Sequence, residues 1–385
     1  MKVTIIAHTP EPEKVVAASA RLCYSKTSAS NIMNNLTNDK ANAFLKKLTQ
    51  MGHMSPTEHV SFTFAIDGVS RTLLAQLTRH RIASYSVQSL RYNNPFKSEI
   101  LSGNKDIQEK NLTKENTYYM EGLVYANNLC KDELFTCDTP TEKCSITGKS
   151  PEQINKNYLT SYLRGIYDAC GCCHKNKELV VSFPKKIESV IKLFYSNTTF
   201  VEEKILIKKE EAEDFLLFIY DKLDYINSYY NQEKLLEICK QSTKFYKVFL
   251  GNVKDYIETV YYSMMPESIA QYPEAILPYI KGLESCKNTY VKLVKLGIDQ
   301  EDARYILPMS TQTRVVMTMN ARSLQNFFAL RCCKRAQTEI RELANLMLEE
   351  VKKIAPAIFE HAGPPCESNG ICPEGELSCG KYPTS

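Results

Sequence analysis

The stretch from Arg79 to Tyr92 holds the residues with the clearest chemical potential in the chain. It contains three arginines, one histidine and three serines, and no carboxylate. Guanidinium groups match the oxygens of phosphates and carboxylates, and hydroxyls can complete the shell around such a ligand. The composition therefore indicates a grip on a phosphorylated ligand, and a solvated basic face is the alternative. The apolar segment at 69–78 favours a ligand-binding role, because the arginines then directly follow a packed element of structure.

A second polar stretch runs from Asn320 to Arg331 and is typical of the start of a helix. Arg322 and Asn326 are four residues apart, so a helix places them on one face. Arg331 falls close to the stripe of Asn320 and away from Arg322. Such a helix can serve two ligands on two sides, and an amphipathic helix with a solvated polar face is the alternative.

Helices and strands must position these stretches, and hydrophobic periodicity predicts which ones. In chain order we expect a strand at Val3–Ala7, helices at 12–24 and from about Asn38 to Met51, a strand at Val60–Ile66, a helix at 69–78, a helix from about Pro273 to Leu296, a strand at Thr313–Met319 and one helix from about Ala321 to Lys353.

The arginine stretch resembles the signature of the flavin-dependent thymidylate synthases, in which Arg-His-Arg and seven further residues precede S-L-R-Y, here ending at Tyr92. N-A-R-S-x-x-N-F followed by L-R, from Asn320, resembles a later segment of that family. D-A-R-Y-I-L-P, from Asp302, resembles the segment just before it. The matches cover about residues 1–96 and 258–355. The resemblance implies an α/β (α+β) fold with a mixed sheet and long helices.

The resemblance implies a methyltransferase that converts dUMP to dTMP. Methylenetetrahydrofolate would be the carbon donor, FAD the redox carrier and NADPH the reductant. Members of the family are homotetramers whose subunits share each active site. Their reduced flavin carries the methylene group and supplies hydride, so no cysteine attacks the pyrimidine, and the protein contributes alignment and electrostatics.

Matching positions carry the family's contacts over to this chain. The FAD contacts fall on His53, Ser55, Glu58, Arg79, His80, Arg81, Ile82, Asn320, Arg322 and Asn326. The dUMP contacts fall on Gln76, Ser89, Leu90, Arg91, Arg304 and Arg331, and the catalytic roles on Arg331, Ser89 and Arg91. We expect Arg331 to polarise the pyrimidine and Ser89 to hydrogen-bond the phosphate or sugar. Many relatives have Asn where Ser86 stands and an acid or amide where Val87 stands, so a contact at Val87 must come from its backbone.

The turn before the strand at Val60–Ile66 has two interpretations besides a cofactor contact. His53, Glu58 and His59 could suggest a metal site, although their spacing matches no zinc pattern. Alternatively, Ser55 and Glu58 close a helix start as a capping box.

Residues 97–257 are longer than this connection usually needs, and long insertions usually carry their own structure. Tyr162 to Gly171 resembles a degenerate motif of the LAGLIDADG homing endonucleases. In the order of that domain we expect strands at 172–174 and 179–183, a helix at 185–195, a strand pair at 198–208 and a helix at 210–223. The acid that binds the catalytic metal in such nucleases falls at Cys170, so we expect no cleavage of DNA. An ordinary α/β insertion is the alternative.

Two other functions remain open at this point. A nucleic-acid-binding protein would act through the insert and keep a degenerate synthase shell. A flavin-binding scaffold would reduce FAD without methylating. The nearly complete set of family arginines favours the synthase, with dUMP, folate and NADPH as its small-molecule partners.

The tail, residues 356–385, is rich in cysteine, glycine and proline. His361, Cys366, Cys372 and Cys379 are four soft ligands that would suit one zinc ion, in a spacing looser than that of a zinc knuckle. A flexible tail with reduced cysteines is the alternative. We assign no metal and keep these four residues as candidates.

Composition bounds the remaining possibilities. The 385 residues carry a formal charge of +4, which does not demand nucleic acid, although local basic patches can bind phosphates. No apolar run is long enough to span a membrane, and the first residues predict a strand rather than a signal peptide. Fourteen cysteines in such a chain indicate reduced thiols, metal ligands or core residues and not a disulfide framework. We expect a cytoplasmic protein without a membrane partner.

Overall fold

The structure is a computed structural model that describes residues 1–97, 117–127, 154, 158–175, 178–195, 198–201, 204–220 and 232–384. Its strands are β1 Lys2–His8, β2 Ser61–Ser70, β3 Ala83–Val87, β4 Cys172–Lys175, β5 Leu179–Pro184, β6 Thr199–Val201, β7 Lys204–Lys208 and β8 Gln312–Asn320. Its helices are α1 Pro12–Leu22, α2 Ala29–Asn35, α3 Asn38–Gln50, α4 Arg71–Leu77, α5 117–127, α6 Leu159–Cys170, α7 Glu188–Phe194, α8 Lys209–Ile219, α9 Gln232–Gln241, α10 Thr243–Tyr261, α11 Glu267–Ala270, α12 Pro273–Lys295, α13 Gln300–Ala303, α14 Ala321–Arg331, α15 Thr338–Ile354, α16 Pro356–Phe359 and α17 Pro365–Asn369. In these described ranges, every helix is too short or too polar to cross a membrane.

The chain forms two compact units. Residues 1–93 and 308–385 make the first unit, and residues 94–307 make the second. The second unit reaches residue 307 because α12 packs against α10. Each unit has an apolar core of its own. The insert limits drawn from the sequence, 97–257, stay a prediction.

The first unit is built on a four-stranded sheet in the order β1-β2-β8-β3. Every neighbouring pair in it is antiparallel, so the α+β class is confirmed while the sheet is antiparallel rather than mixed. The neighbours β2 and β8, and likewise β8 and β3, are not consecutive in the chain, so the sheet contains crossovers although every neighbouring pair is antiparallel. Because β8 lies between β2 and β3, it brings both polar stretches of the sequence to adjoining strands.

One face of this sheet is buried. Phe62 and Phe64 on β2 and Met317 and Met319 on β8 are at most 1% exposed. They share their core with residues of α1, α14 and α15. Burying a Phe or Met side chain contributes about 1.5–3 kcal/mol. A register slip of one residue would expose this whole set, so the alternation fixes which strand face meets the helices.

The single helix expected to follow β8 is in fact two helices, which corrects that prediction. α14 ends at Arg331, and α15 begins at Thr338. The Gln337 side chain accepts hydrogen bonds from the backbone N–H groups of Glu339 (3.1 Å) and Ile340 (3.2 Å) and so caps α15. Glutamine is not among the preferred N-cap residues, which is why the sequence pattern does not reveal the break.

The second unit contains the other sheet, in the order β4-β5-β7-β6, again antiparallel. α6 precedes this sheet, α7 separates its two strand pairs and α8 follows it. The order of helices and strands predicted from Tyr162 onward is therefore confirmed as far as residue 219. Residues 221–223 of the last predicted helix lie outside the described residues.

Helices α5 and α6 cross at two glycines. A Cβ atom on Gly122 would lie 2.0 Å from the carbonyl oxygen of Tyr162, and one on Gly165 would lie 2.1 Å from that of Tyr119. Backbones this close leave no room for a side chain at either glycine. Both helices carry the pattern Tyr-x-x-Gly, so the crossing is pseudosymmetric: the glycine of each helix faces the tyrosine carbonyl of the other.

Candidate active site

The histidine of the Arg-His-Arg stretch contacts the last residue of α14. The Nε of Arg331 donates a hydrogen bond of 2.9 Å to Nε2 of His80. The imidazole also packs edge-to-face against Phe327, with the ring centroids 4.9 Å apart. Two residues assigned by sequence to different ligands, FAD for His80 and dUMP for Arg331, are thus joined directly.

His80 lies in the turn between α4 and β3, and Tyr85 holds that turn in shape. The Tyr85 hydroxyl donates to the carbonyl oxygens of Leu77 (2.9 Å) and His80 (3.0 Å). Burial raises the pKa of Tyr85 to about 12, so the hydroxyl keeps the proton that it donates. Ile82 completes the turn at φ 58°, in the left-handed region that a branched residue rarely adopts.

The imidazole of His80 is neutral at physiological pH. Its burial, together with the positive charge of Arg331, lowers the pKa of His80 to about 4. Since Nε2 accepts from Arg331, the single ring proton belongs on Nδ1. The neutral ring does not compensate the charge of Arg331, and with respect to the described residues the two terminal nitrogens of this guanidinium remain to meet a ligand.

Strands β3 and β8 place the start of α14 beside this turn. β3 pairs with β8 along its whole length, although its serines hide it from the hydrophobic pattern. β8 ends at Asn320, whose Oδ1 accepts from the backbone N–H of Ser323 at 2.8 Å and caps α14. Arg322 and Asn326 are both exposed on α14, as the prediction of a shared face requires.

The short 3-10 turn Ser55–His59 packs against α14. At the junction, the backbone N–H of Ala321 donates to the carbonyl oxygen of Val60 at 2.9 Å. His53, Ser55 and Glu58 are exposed in this region. The structure therefore brings the predicted FAD contacts of this turn close to those of α14.

The capping box predicted for this turn is wrong. The turn begins after Met54, and no side chain caps it. Instead the Thr57 hydroxyl donates a hydrogen bond of 2.6 Å to the carbonyl oxygen of Met54, the residue that precedes the turn. The metal alternative has no support either, because no three His, Cys, Asp or Glu side chains of the described residues are arranged around a common metal position.

Three arginines of the site are exposed cations. Arg79 and Arg81 lie in the turn after α4, and Arg322 lies in the first turn of α14. Within the described part of the chain, no carboxylate forms an ion pair with any of them, whereas Arg314 on β8 pairs with Asp67. Uncompensated guanidiniums raise the positive potential of this surface and favour an anionic ligand.

The loop after β3 carries three of the predicted dUMP contacts. The Ser89 hydroxyl accepts from the backbone N–H of Arg91 at 3.1 Å, which orders the loop. Arg91 is exposed, and its guanidinium lies over the ring of Tyr92, 5.5 Å from the centroid. Leu90 is 7% exposed, so its side chain packs inward and only its backbone can meet a nucleotide.

The two remaining dUMP contacts lie on helical segments. Gln76 is half-buried near the end of α4, and its carbonyl oxygen accepts from the backbone N–H of Arg79 at 3.4 Å. Arg304 belongs to the second unit, where its Nε donates to the carbonyl oxygen of Glu301 at 3.0 Å.

The sequence analysis did not identify two residues that support the site, Tyr85 and Ser70. Tyr85 is the first case, and its alternating position in β3 is the signal that it points inward. Ser70 is a second case: its hydroxyl caps α4 by accepting from Leu73 N–H at 3.0 Å and donates to Glu339 at 2.6 Å. The Ser70 backbone N–H donates to the same carboxylate at 2.7 Å. A serine before a helix indicates the cap, but no local pattern indicates Glu339.

Known proteins resemble this chain over its full extent. The family described as thymidylate synthase complementing protein matches residues 4–157 and 228–357. A flavin-dependent thymidylate synthase from Clostridium tetani is 31% identical over 384 residues, which are 99% of this chain and 94% of that protein. Another from Geobacter sulfurreducens is 27% identical over 381 residues, with the same two coverages of 99% and 94%.

A solved structure is also similar, at a lower level. It is the flavin-dependent thymidylate synthase of Helicobacter pylori complexed with FAD and dUMP, which is 16% identical and has a TM-score of 0.38. The match covers 94% of this chain and 100% of that one. The family match over most of the chain and the full-length relative from Clostridium tetani decide the assignment: this chain belongs to the flavin-dependent thymidylate synthases.

Proposed function

We propose that this enzyme converts dUMP to dTMP, with methylenetetrahydrofolate as carbon donor, FAD as redox cofactor and NADPH as reductant. The observation that carries the proposal is the hydrogen bond between His80 and Arg331, because it joins the predicted cofactor contacts to the predicted nucleotide contacts. A reaction between a cofactor and a pyrimidine requires both to be held side by side. The activity named for the full-length relatives supports the same reaction.

The side chains present fit FAD. A diphosphate needs cations, and Arg79, Arg81 and Arg322 are exposed guanidiniums without a described carboxylate partner. The carbonyl and N–H groups of a flavin edge can be matched by the amides of Asn320 and Asn326. When bound there, FAD would supply the hydride chemistry that no side chain can provide.

Arg331 is proposed to orient and polarise the pyrimidine. Its bond to His80 fixes the guanidinium, which supports a role in stabilising negative charge that develops on a pyrimidine carbonyl oxygen. Preorganised donors of this kind contribute about 10²–10³ in rate. Ser89 and Arg91 are proposed to hold the phosphate or sugar.

The proposal needs no cysteine nucleophile. Cys332 directly follows Arg331, but burial raises the pKa of its thiol to about 12. A thiol that stays protonated is a poor nucleophile. Activation of dUMP is therefore left to Arg331, which His80 positions.

The test is NADPH oxidation and dTMP formation by the purified protein after loading with FAD. With dUMP and methylenetetrahydrofolate we expect NADPH consumption coupled to dTMP. Arg331→Ala should lower dTMP formation by about 100-fold or more while flavin stays bound. Lys353→Ala, which removes an exposed cation from α15, is the control and should keep the wild-type rate.

Two outcomes would contradict the proposal. NADPH oxidation without dTMP would leave a flavin reductase. Failure to bind any flavin would turn attention to nucleic-acid binding by residues 97–257.

We further propose a cytoplasmic homotetramer with active sites shared between subunits. Arg81 is exposed, and Ile82 is 76% exposed. This exposure supports a contact with another subunit that completes the site. Light scattering should give a particle of four 43.9 kDa chains. If activity per chain persists on dilution to monomers, the sites are not shared.

We also propose that the segment from α6 to α8 descends from a LAGLIDADG endonuclease domain and no longer cleaves DNA. Its helix and strand order and its antiparallel sheet support the descent. Cys170 occupies the end of α6, with its Sγ 3.5 Å from the carbonyl oxygen of Ile166, where such a nuclease needs an acid. Plasmid DNA incubated with the protein and Mg²⁺ should stay intact, and site-specific cutting would refute the loss of cleavage.

A further inference from the structure

Five cysteines line one pocket of the first unit, with a volume of about 270 Å³. Cys332 and Cys333 come from the segment after α14, and Cys366, Cys372 and Cys379 come from the tail. All five are free thiols. The pocket therefore gathers sulfur atoms from two separate parts of the chain, and the proposed reaction uses none of them.

The tail that contributes three of these cysteines has almost no apolar core. Beyond Ala362, its buried residues within the described range are Pro364, Cys366 and Cys372. Glycines with positive φ turn it around the pocket at Gly363, Gly370, Gly375 and Gly380. The end of the tail folds back, since the backbone N–H of Cys372 donates to the carbonyl oxygen of Pro383 at 2.7 Å. Short cysteine-rich segments of this kind depend on a disulfide or a metal ion for their order.

The charges around the pocket suit a metal–thiolate centre. The charged lining residues are Lys334, Arg335, Arg341, Lys381, Glu367 and Glu374. Arg335 pairs with Glu374, and Lys381 pairs with Glu367 at 2.8 Å, so four cations and two carboxylates leave a net charge of +2. A divalent ion held by four thiolates carries the opposite net charge, which this lining would neutralise.

A divalent cation in this pocket would favour the deprotonated form of every thiol it touches. The sulfur atoms do not yet converge on one point, since no three candidate ligands of the described residues are arranged around a common centre. Binding therefore involves rotation of the cysteine side chains toward the ion.

We propose that Cys333, Cys366, Cys372 and Cys379 bind one structural Zn²⁺ ion in a tetrahedral thiolate site. Each thiol releases its proton to solvent on binding. Cys332 is left out because it packs in the apolar core of the first unit. His361, which the sequence suggested as a ligand, is exposed and does not line the pocket. The site is structural and does not depend on the proposed reaction.

The experiment uses the full-length protein purified under reducing conditions without chelators. Elemental analysis should find one zinc per chain, and X-ray absorption should find four sulfur neighbours at about 2.3 Å. Replacement by Co²⁺ should give sulfur-to-cobalt charge-transfer absorption. Zinc-free protein as isolated, together with a cobalt spectrum that lacks sulfur ligation, would overturn the proposal. So would a disulfide between two of the four cysteines under these conditions.

Variants separate the ligand set from its neighbours. Cys333→Ser, Cys366→Ser and Cys372→Ser should each lose the bound zinc. Cys23→Ser, which removes an exposed cysteine outside the pocket, should keep it. His361→Ala should also keep it. Loss of zinc in His361→Ala, with zinc retained in Cys333→Ser, would overturn the assignment of the ligands. If a serine variant fails to fold, the cobalt spectrum of the wild-type protein decides whether sulfur ligates the metal.

Discussion

The hydrogen bond between Arg331 and His80 joins residues that are 251 positions apart in the chain. It connects the turn after α4 to the end of α14, and it makes His80 a positioning residue for the arginine proposed to polarise the pyrimidine. Because the imidazole is neutral, it orients the guanidinium without neutralising it.

Removal of this acceptor should weaken catalysis more than binding. His80→Ala frees the guanidinium of Arg331, so kcat for dTMP formation should fall by about 10–100-fold with a smaller change in the KM for dUMP. His80→Gln supplies a carbonyl acceptor and should restore part of the kcat. Steady-state kinetics with His8→Ala as control would measure this, and equal losses in both His80 variants would show that the bond does not position Arg331.

The lowered pKa of His80 makes stability depend on pH. In the unfolded chain this imidazole binds a proton near its ordinary value of 6.5, whereas in the folded chain it does so at about 4. Between these values the unfolded state holds more protons, so the free energy of unfolding should fall as pH drops from 6.5 toward 4. Urea titrations at several pH values should show a shallower fall for His80→Gln. An identical pH dependence in both proteins would contradict the shift.

The glycine crossing of α5 and α6 should tolerate no side chain. In Gly165→Ala the new methyl would lie 2.1 Å from the carbonyl oxygen of Tyr119, so the helices must separate, at a cost of about 3 kcal/mol or more. Gly251→Ala in α10 is the matched control, because its Cβ would meet nothing within 4 Å. That variant should gain about 0.5–1 kcal/mol. Denaturant unfolding and amide exchange in α5 and α6 measure both, and wild-type stability in Gly165→Ala would disprove the close contact.

Ser70→Ala should destabilise the first unit by about 1–2 kcal/mol. The change removes the cap of α4 and leaves the Glu339 carboxylate with one bond fewer in a half-buried position. Ser28 is a matched cap, since its exposed hydroxyl accepts from Asn31 N–H at 3.4 Å at the start of α2. Ser28→Ala should cost about 0.5 kcal/mol. Urea midpoints compare the two, and equal losses would mean that Glu339 adds nothing.

Local patterns were sufficient for part of this fold and site. β8 was predictable from its β-branched residues, and the shared face of Arg322 and Asn326 from helical spacing alone. The strands and helices from α6 to α8 were expected from the order of elements in the domain that Tyr162 to Gly171 resembles. The placement of the site residues on FAD and dUMP came from the family resemblance and stays a prediction.

Other features were beyond local patterns for identifiable reasons. β3 is short and polar, so its pairing with β8 decides its conformation. The break before α15 is hidden because Ile340 and Leu343 continue the apolar stripe of α14. Two contacts join distant parts of the chain: the bond from Arg331 to His80 and the approach of Cys333 to the tail. Rules based on local residue spacing cannot predict such contacts.

The pairing of β2 with β8 also sets the order in which the protein can fold during synthesis. Thr63 and Thr318, whose hydroxyls lie 3.0 Å apart, are separated by 255 residues. At a translation rate of about 5–20 residues per second, β2 waits about 13–51 s for its partner strand. The second unit is continuous in sequence and can fold in that interval. Meanwhile the unpaired edge of β2, with Phe62 and Phe64, stays open to aggregation, so the nascent chain should depend on chaperones until β8 emerges from the ribosome.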